Sequence, residues 1–221
     1  MRIVLLGAPG AGKGTQCKQI VDKYGLLHLS SGDILRQERA AGTELGRQAQ
    51  SYMDSGGLVP DELIVKMMAG AVSKAPKVGF VLDGFPRTVV QAEELDKSLA
   101  ANGQQIDAVL NLEVDDKAVV KRITGRRSCP KCGAIYHIEN MKPVKEGICD
   151  KDGSGLVQRA DDTEEVVANR LNNYHKQTKA VVEYYKSSNV VYGIDANIGA
   201  SEVKKSMFEI LDKFVSAKVL R

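Results

Sequence analysis

Nine residues near the start of the chain, Gly7 to Thr15, restrict the possible folds more than any other feature. They read GAPGAGKGT and follow an apolar run over residues 3–6. A strand, a glycine-rich loop with a lysine and then a helix are the context of a phosphate-binding loop, in which backbone N–H groups and a helix N-terminus face phosphate oxygens. A glycine-rich turn without a ligand is the alternative, but the position of Lys13 favours phosphate. The motif therefore predicts a nucleotide-binding α/β scaffold.

Apolar runs alternate with helical patterns through most of the chain. The predicted strands cover residues 3–6, 80–82, 108–112 and 190–194, and the helices that follow them cover residues 13–24, 88–100, 115–124 and 201–217. Such alternation is typical of parallel strands joined by crossover helices. We therefore predict an α/β fold: a P-loop doubly wound parallel sheet with helices on both faces.

Two stretches interrupt this alternation and are predicted as inserts. Residues 30 to about 73 look helical throughout. Residues 125–162 are rich in glycine, proline and cysteine, which predicts a small irregular β insert, here named the cysteine-rich insert. A long helix is predicted to begin near Asp162, because Glu165 stands at the capping-box spacing from it.

Composition argues against several broad classes of protein. The 221 residues include 31 Lys and Arg against 28 Asp and Glu, a net charge of +3, and the two signs alternate along the sequence. This balance argues against a nucleic-acid or membrane-surface partner. No apolar run reaches the roughly 20 residues of a membrane span, and the N-terminus has no signal-peptide core. We expect a cytoplasmic protein with neither a membrane nor a nucleic-acid partner.

The phosphate loop departs from the general motif in one way. That motif places Ser or Thr directly after the lysine, where the hydroxyl binds Mg²⁺. Here Gly14 holds that position and Thr15 follows it. The magnesium must then depend on nucleotide oxygens, water and carboxylates farther along the chain. Asp83, at the end of a predicted strand, and Asp33 are the candidates, and a helix cap or loop role is the alternative for each.

Several segments together resemble the adenylate kinase family. They are GAPGAGKGTQ at residues 7–16, LSSGDILR at 29–36, LDGFPR at 82–87 with Gln91 after it, RITGRR at 122–127, RADD at 159–162, and Arg170. The resemblance extends over nearly the whole chain and is to the long form of the family, which has an extended lid. It implies reversible phosphoryl transfer from MgATP to AMP, giving two ADP, by a protein that is usually a monomer. It also implies that residues 30–59, here named the helical insert, bind AMP and that the cysteine-rich insert is the lid. The core domain then comprises residues 1–29, 60–124 and 163–221.

The resemblance further implies the site residues, position by position. The ATP site falls on Gly10, Ala11, Gly12, Lys13, Gly14, Thr15, Arg122 and Arg126, with Ile135, Tyr136 and Ile198 near the base and ribose. The AMP site falls on Ser31, Arg36, Gly57, Leu58, Val59, Gly84, Phe85, Pro86, Arg87 and Gln91, and Arg159 and Arg170 reach between both phosphate groups. The implied catalytic residues are Lys13, Arg87, Arg126, Arg159 and Arg170. This assignment agrees with the chemistry of the reaction. Phosphoryl transfer depends mostly on positioning the phosphate groups and neutralising their charge, and the guanidinium group of arginine is suited to both.

The two nucleotide bases are less sharply specified. Ser31 and Gln91 resemble the AMP-type pattern, and a glutamine amide can both donate to and accept from an adenine edge. Ser31 stands where Thr is commoner, and some relatives with Ser there use GTP as donor. A GTP:AMP kinase therefore remains open. So does a pyrimidine-monophosphate kinase, although that class usually lacks the long lid.

Three of the four cysteines lie in the cysteine-rich insert, where two ligand pairs with C-x-x-ligand spacing are separated by a loop. This pattern predicts a tetrahedral structural zinc site. Its predicted ligands are Cys129, Cys132, Cys149 and Asp152. Asp150 or His137 are alternative fourth ligands, and a disulfide or redox pair is the competing interpretation of the first two thiols. Cys17 lies in the first predicted helix, where a packing role is expected.

Other function classes have weaker support in the sequence. A zinc-ribbon protein that binds nucleic acid would share the cysteine pattern, but the chain lacks an aromatic-rich basic strand pair. An ATPase or GTPase switch needs a residue that positions water near the γ-phosphate, and none is evident. No Asp or Ser partner can be recognised for the three histidines, so we predict no nucleophilic triad and expect structural or exposed roles for them.

Overall fold

A computed structural model describes residues 1–219, with side chains through residue 216, and its centre is a parallel sheet. The strands of that sheet are β1 (Arg2–Gly7), β2 (Leu27–Ser30), β3 (Phe80–Asp83), β4 (Ala108–Glu113) and β7 (Val191–Asp195). Their order is β2-β3-β1-β4-β7, and every neighbouring pair is parallel. Crossover helices must therefore return the chain to the same edge after each strand.

Helices cover the sheet on both faces. They are α1 (Lys13–Tyr24), α2 (Ser31–Ala40), α3 (Glu44–Asp54), α4 (Asp61–Val72), α5 (Val89–Ala100), α6 (Asp116–Thr124), α7 (Glu164–Asn173), α8 (Lys179–Lys186) and α9 (Ala200–Val219). Val4 and Leu6 of β1 join a core with side chains of α4, α5 and α8, whereas Ile3 and Leu5 join a core with α1 and α9. Successive side chains of a strand point to opposite faces, so a strand covered on both faces is apolar throughout. The predicted doubly wound α/β fold is confirmed.

The strand β2 has no counterpart among the predicted strands. It is only four residues long, and only its last two residues are buried. His28 and Ser30 alternate with its two leucines, so it lacks the continuous apolar run that reveals the other strands. Its position at the edge of the sheet explains this composition, because an edge strand is less completely covered.

The helical stretch after β2 folds as predicted, with α2, α3 and α4 in succession. Gly46 allows the start of α3 to pack against the backbone of α2, since a Cβ there would lie 2.4 Å from the carbonyl carbon and oxygen of Glu38. Ile64 and Met68 of α4 belong to the main core beside the sheet. Leu35 of α2 and Ala49 of α3 belong to the same core, so all three helices of the stretch are tied to it.

The cysteine-rich insert contains a short antiparallel pair of strands, β5 (Arg126–Ser128) and β6 (Ile135–His137). Three isolated bridges hold the rest of the insert together, including one between Ser128 and Val157. Its own core consists of four buried residues: Cys129, Ala134, Tyr136 and Cys149. So small a core, half of it thiols, needs a further source of stability.

The helix that follows the insert has its cap one residue later than predicted. Its N-cap is Thr163, whose side chain accepts a hydrogen bond from the backbone N–H of Val166. The prediction of a cap at Asp162 is wrong, because that fully buried carboxylate instead pairs with Arg126. A π-helical turn, Tyr174–Thr178, joins α7 to α8. Within residues 1–219, no helix combines the length and apolar character needed to cross a bilayer.

Candidate active site

The loop between β1 and α1 has the backbone of an anion-binding site. Gly10 and Gly12 have φ angles of 72° and 93°, in a region that side chains rarely adopt. Gly12 is the N-cap of α1, so the first N–H groups of that helix are free to bind a ligand. A Cβ on Gly10 would also lie 2.9 Å from Ile123 of α6. Glycine is therefore required both for the turn and for the packing that holds the loop in place.

Lys13 is folded back into this loop. Its Nζ donates to the carbonyl oxygens of Gly7 at 2.7 Å and Ala8 at 2.8 Å. Burial lowers the pKa of Lys13 from 10.5 to about 8, although the nearby carboxylate of Asp83 opposes that shift. The ammonium is thus incompletely compensated within the protein. An anion in the loop would supply the missing charge.

A cleft of about 650 Å³ opens in front of the loop and brings together residues from distant parts of the chain. Every residue that the sequence assigned to ATP lines this cleft. So do six arginines from five segments of the sequence: Arg36, Arg87, Arg122, Arg126, Arg159 and Arg170. Arg39, by contrast, pairs with Asp54 at 3.0 Å and is not among the lining residues. The convergence of six guanidinium groups and Lys13 makes the cleft a site for a highly charged anion.

Buried carboxylates hold two of these guanidinium groups in the absence of a ligand. Arg126 makes a two-pronged ion pair with Asp162, and Arg170 pairs with Asp161. Neither aspartate was predicted as a site residue beyond its place in the RADD segment. Their sequence signal is weak, because adjacent aspartates after an arginine are common on solvated surfaces. Their burial identifies them, with 8% exposure for Asp161 and none for Asp162.

Other arginines of the cleft are held by backbone carbonyls or lie close to one another. Arg122 donates to Ala196 O at 2.9 Å, and Arg87 donates through Nε to Gly84 O at 2.7 Å. Burial, with repulsion from neighbouring arginines, lowers the pKa of Arg87 and of Arg159 to about 10. Both stay cationic at neutral pH. Repulsion between like charges is therefore already present before any nucleotide binds.

A small cavity of about 60 Å³ adjoins the cleft. Apart from Arg36, Arg87 and Arg170, which also line it, its polar side chains are Ser31 and Gln91. Ser31 Oγ donates to Gly84 O at 2.7 Å. The apolar lining comes from Leu35, Met53, Leu58, Val59 and Ile64. Three of these, Leu35, Met53 and Ile64, were not predicted as site residues. Only their helical periodicity marks them in the sequence, and that periodicity equally predicts a core residue.

The other residues assigned to AMP line the cleft or the small cavity, with one exception. Phe85 is 1% exposed and packs in the main core. Its side chain contributes to the position of the loop that carries Gly84 and Arg87. We therefore place Phe85 behind the site instead of at its surface.

Both magnesium candidates face the cleft. Asp83 Oδ2 lies 3.5 Å from where a Cβ on Gly14 would stand, so the carboxylate is directly beside the phosphate loop. Asp33 binds Arg36 at 2.5 Å, and although burial raises its pKa, that arginine lowers the pKa below its usual value. Two carboxylates therefore stand near the phosphate loop, within the same cleft. They fit a hydrated Mg²⁺, which keeps several waters and takes one or two carboxylates.

Two histidines do have aspartate partners, contrary to the expectation from sequence. His28 Nε2 lies 3.6 Å from Asp83 Oδ2, and His175 Nε2 lies 2.8 Å from Asp116 Oδ2. These pairs bring together residues distant in sequence, so no local pattern reveals them. Neither pair includes a serine or cysteine nucleophile in hydrogen-bond contact with the imidazole.

The predicted zinc ligands meet in one place. The donor atoms of Cys129, Cys132, Cys149 and Asp152 all lie within 4.8 Å of one another. Cys129 Sγ is 3.3 Å from Asp152 Oδ2, and Cys132 Sγ is 3.5 Å from Cys149 Sγ. Three thiols and a carboxylate at such separations fit the four-coordinate geometry of a structural zinc site.

The alternative fourth ligands are engaged elsewhere. Nδ1 of His137 accepts from the backbone N–H groups of Glu139 and Asn140, and its Nε2 lies 3.2 Å from Lys121 O. The carboxylate of Asp150 accepts from Val144 N at 2.8 Å. Among the described residues, Asp152 is thus the candidate whose carboxylate reaches the three thiols.

Contacts from both sides narrow the entrance of the cleft. Lys18 Nζ on α1 donates to Gly133 O of the cysteine-rich insert at 2.6 Å. Asn173 on α7 donates to Gly56 O of the helical insert at 3.0 Å. The contact from Lys18 is one hydrogen bond from a long, exposed side chain, which costs little to break. On the other side α7 makes two, because Asn169 also donates to Ser55 O.

Comparisons with known proteins agree with this geometry. The family model described as "Adenylate kinase" matches residues 5–190. An adenylate kinase of Lachnospira eligens is 48% identical over 212 residues, which cover 96% of this chain and all of the relative. An adenylate kinase of Thermoanaerobacter sp. is 50% identical over 204 residues, covering 92% of this chain and 94% of the relative. One from Caldicellulosiruptor saccharolyticus is 48% identical over 212 residues, covering 96% of this chain and 97% of the relative.

Proposed function

This chain belongs to the adenylate kinase family, and on that premise we propose which of its residues carry out the reversible transfer of a phosphoryl group from MgATP to AMP, giving two ADP. The observation that carries the proposal is the convergence of Lys13 and six arginines on one cleft. Phosphoryl transfer involves little covalent chemistry by the protein, so positioned positive charge is the main catalytic resource.

The donor occupies the part of the cleft beside the phosphate loop. The N–H groups at Gly10 to Thr15 bind its phosphates, with Arg122 and Arg126 beside them. Its base and ribose lie against Ile135, Tyr136 and Ile198, which line the same cleft. Magnesium, when bound with the donor, neutralises phosphate charge, and Asp83 and Asp33 would hold its waters.

The acceptor occupies the part of the cleft that leads into the small cavity. Its adenine enters among the apolar side chains and meets Ser31 and Gln91, while Arg36 and Arg87 bind its phosphate. The backbone at Gly57, Leu58, Val59, Gly84 and Pro86 completes the wall. The phosphate of AMP is already an anionic nucleophile, so the reaction needs no general base.

The catalytic residues stabilise charge in the transition state. Lys13 exchanges the carbonyls of Gly7 and Ala8 for phosphate oxygens, and Arg87, Arg126, Arg159 and Arg170 surround the group in transit. Such preorganised contacts are each worth about 3–4 kcal/mol of transition-state stabilisation. Arg159 and Arg170 lie where the two halves of the cleft meet, which suits them to contact both nucleotides.

Closure of the two inserts excludes water from the reaction. The proposed core domain is residues 1–29, 60–124 and 163–221, with the AMP-binding insert at 30–59 and the lid at 125–162. The hydrogen bond from Lys18 to Gly133 O, between α1 and the lid, suits a lid that opens for exchange. An open site would transfer the phosphoryl group to water, so closure is needed for fidelity.

We place a structural zinc ion on Cys129, Cys132, Cys149 and Asp152. Four protein ligands leave no position for substrate, so this ion would stabilise the lid and take no part in chemistry. Its thiolates need a reducing compartment, which agrees with a cytoplasmic monomer that has neither a membrane nor a nucleic-acid partner.

The experiment is a coupled assay of the purified protein with all pairs of nucleoside triphosphate donors and monophosphate acceptors. We expect ATP with AMP to give the highest kcat/KM. Faster phosphorylation of UMP or CMP would overturn the acceptor assignment, and faster turnover with GTP would overturn the donor assignment alone.

A further inference from the structure

Asp61 holds the base-reading glutamine from one side. It is the first residue of α4, and its carboxylate accepts from Gln91 Nε2 at 2.7 Å and from Thr88 Oγ1 at 3.1 Å. On its other side, Gln91 Oε1 accepts from the backbone N–H of Arg87 at 2.7 Å. Gln91 is only 1% exposed and lines the small cavity. None of the sequence motifs points to Asp61.

These two partners fix which end of the amide is which. An ionised carboxylate only accepts hydrogen bonds, and a backbone N–H only donates them. A flipped amide would place oxygen against oxygen at Asp61 and N–H against N–H at Arg87. The observed orientation leaves one N–H and one oxygen lone pair of Gln91 for a ligand. The polarity presented to the base is therefore set by residues that do not touch it.

The polarity matters because purines differ in it. Adenine offers an acceptor at N1 and a donor at N6, which the remaining N–H and lone pair of Gln91 complement. Hypoxanthine and guanine offer a donor at N1 and an acceptor at O6, which a flipped amide would complement. We propose that Asp61 is a positioning residue that locks the Gln91 amide and thereby selects adenine as the acceptor base. This inference rests on the proposed function of the small cavity.

The test compares Asp61→Asn with the wild type, using AMP and IMP as acceptors. An asparagine amide can accept or donate at this position, so the half of the lock that Asp61 supplies is released without a change in size, and only the Arg87 N–H still favours the observed orientation. We expect the KM for AMP to rise about tenfold and the preference for AMP over IMP to fall at least about tenfold, as for one well-placed hydrogen bond. The KM for ATP should stay unchanged.

Glu62→Gln is the matched control. It removes the same charge from the same helical turn, but its side chain is exposed. This variant should leave the KM for AMP and the preference for AMP over IMP unchanged. An Asp61→Asn enzyme with an unaltered AMP-to-IMP ratio would overturn the inference, whatever its stability. Failure of the wild type to use AMP would instead overturn the proposed function.

A second, independent cluster lies beneath the phosphate loop. The donor atoms of Cys17 on α1, His28 on β2 and Asp83 on β3 all lie within 4.8 Å of one another. Cys17 is fully buried, and His28 Nε2 is a buried atom without a hydrogen-bond partner among the described residues. Imidazole and carboxylate both line the cleft, so an ion can reach the cluster from there.

Thiolate, imidazole and carboxylate are the ligands of Zn²⁺ and its heavier relative Cd²⁺, whereas Mg²⁺ prefers six oxygens. We infer that this trio binds one Zn²⁺-type ion, with the thiol proton released to solvent and a fourth position open to the cleft. Such an ion would be coordinated by Asp83, which could then no longer hold the waters of Mg²⁺, and it would so inhibit phosphoryl transfer. Cys17 takes no part in the proposed mechanism, so its removal should leave basal turnover intact.

The test counts zinc bound at equilibrium to the full chain at fixed free Zn²⁺, in the wild type and in Cys17→Ala. With the lid site filled, we expect two ions per wild-type chain and one per Cys17→Ala chain. MgATP should lower wild-type occupancy toward one. Added Cd²⁺ should inhibit the wild type but not the variant. Equal stoichiometry in both proteins, or equal inhibition of both, would overturn the inference.

Discussion

Replacing Lys13 by methionine should separate stability from catalysis. The side chain keeps its length but loses the ammonium, which in the free enzyme donates to the carbonyls of Gly7 and Ala8. The structure assigns this ammonium two opposite effects. It is costly to bury before the nucleotide arrives, and it becomes favourable once phosphate is present. The variant removes both effects together.

The stability effect follows from the pKa of Lys13. Its decrease from 10.5 to about 8 means that the charged form is destabilised in the folded protein by about 3 kcal/mol. Methionine removes that cost but also removes two charge-assisted hydrogen bonds, each worth about 1.5–3 kcal/mol. The two terms nearly cancel. We therefore expect the free energy of unfolding at pH 7 to change by less than about 2 kcal/mol.

The pH dependence gives a sharper measurement of the same effect. Between pH 8 and 10.5 the folded wild type has lost this proton while the unfolded chain keeps it, so rising pH favours the folded state of the wild type in that window. Methionine does not titrate. The free energy of unfolding of the wild type should thus rise by up to about 3 kcal/mol relative to that of Lys13→Met between those limits. Urea unfolding of both proteins measures this difference, in which the contributions of the other titrating groups cancel.

The catalytic effect should be large at pH 7, where Lys13 is charged. Loss of one preorganised donor in the transition state lowers kcat by about 10²–10³-fold. A coupled assay with ATP and AMP measures it. Near-normal turnover of Lys13→Met would refute the mechanism. A parallel loss of stability and activity, without the pH-dependent difference, would refute the electrostatic reasoning and reduce Lys13 to a structural residue.

Four further predictions follow from particular contacts. Arg87→Ala should lower kcat by two or more orders of magnitude, while Arg39→Ala, outside the cleft, should leave the coupled-assay rate unchanged. Gly125→Ala should lower the melting temperature, because its Cβ would lie 2.3 Å from His137 Nε2, whereas Gly155→Ala meets nothing within 4 Å and should not. Chelation of zinc should lower the melting temperature in calorimetry but largely preserve turnover below the new midpoint, and metal analysis that finds no zinc in wild type would contradict the site. A bisubstrate analogue that bridges ATP and AMP should reduce the radius of gyration in small-angle scattering, and an unchanged radius would count against closure.

The parts of the site that are continuous in sequence could be predicted, because their geometry is local. The phosphate loop needs only a strand, glycines at left-handed positions and a helix N-terminus, all within residues 3–24. The cysteine pairs likewise specify their ligand set by spacing. Features without a local sequence signal could not be predicted. The short strand β2 lacks an apolar run, and Asp162 pairs with Arg126, which is 36 residues away in the sequence.

Tertiary context also decided the roles of several side chains that sequence patterns misplace. Phe85 stands within a binding motif but is buried behind it. Asp61 lies in an amphipathic helix, where a helix cap is the usual interpretation, yet its carboxylate holds Gln91. Met53 lies in another, where a core residue is the usual interpretation, yet it lines the small cavity. Helical periodicity reports which face is covered but not what covers it, so ligand-facing and core-facing positions look alike.

The charge distribution of the cleft couples closure to binding. Arg36 comes from the helical insert, Arg126 and Arg159 come from the cysteine-rich insert, and each lowers the pKa of another cleft arginine or has its own lowered by one. Without a ligand, bringing the inserts together therefore opposes like charges, and Asp33, Asp161 and Asp162 offset part of that repulsion. Phosphate groups reverse the sign, since each guanidinium then gains a bidentate partner. Occupation of both halves of the cleft thus favours the closed arrangement in which water is excluded, and partial occupation favours it less.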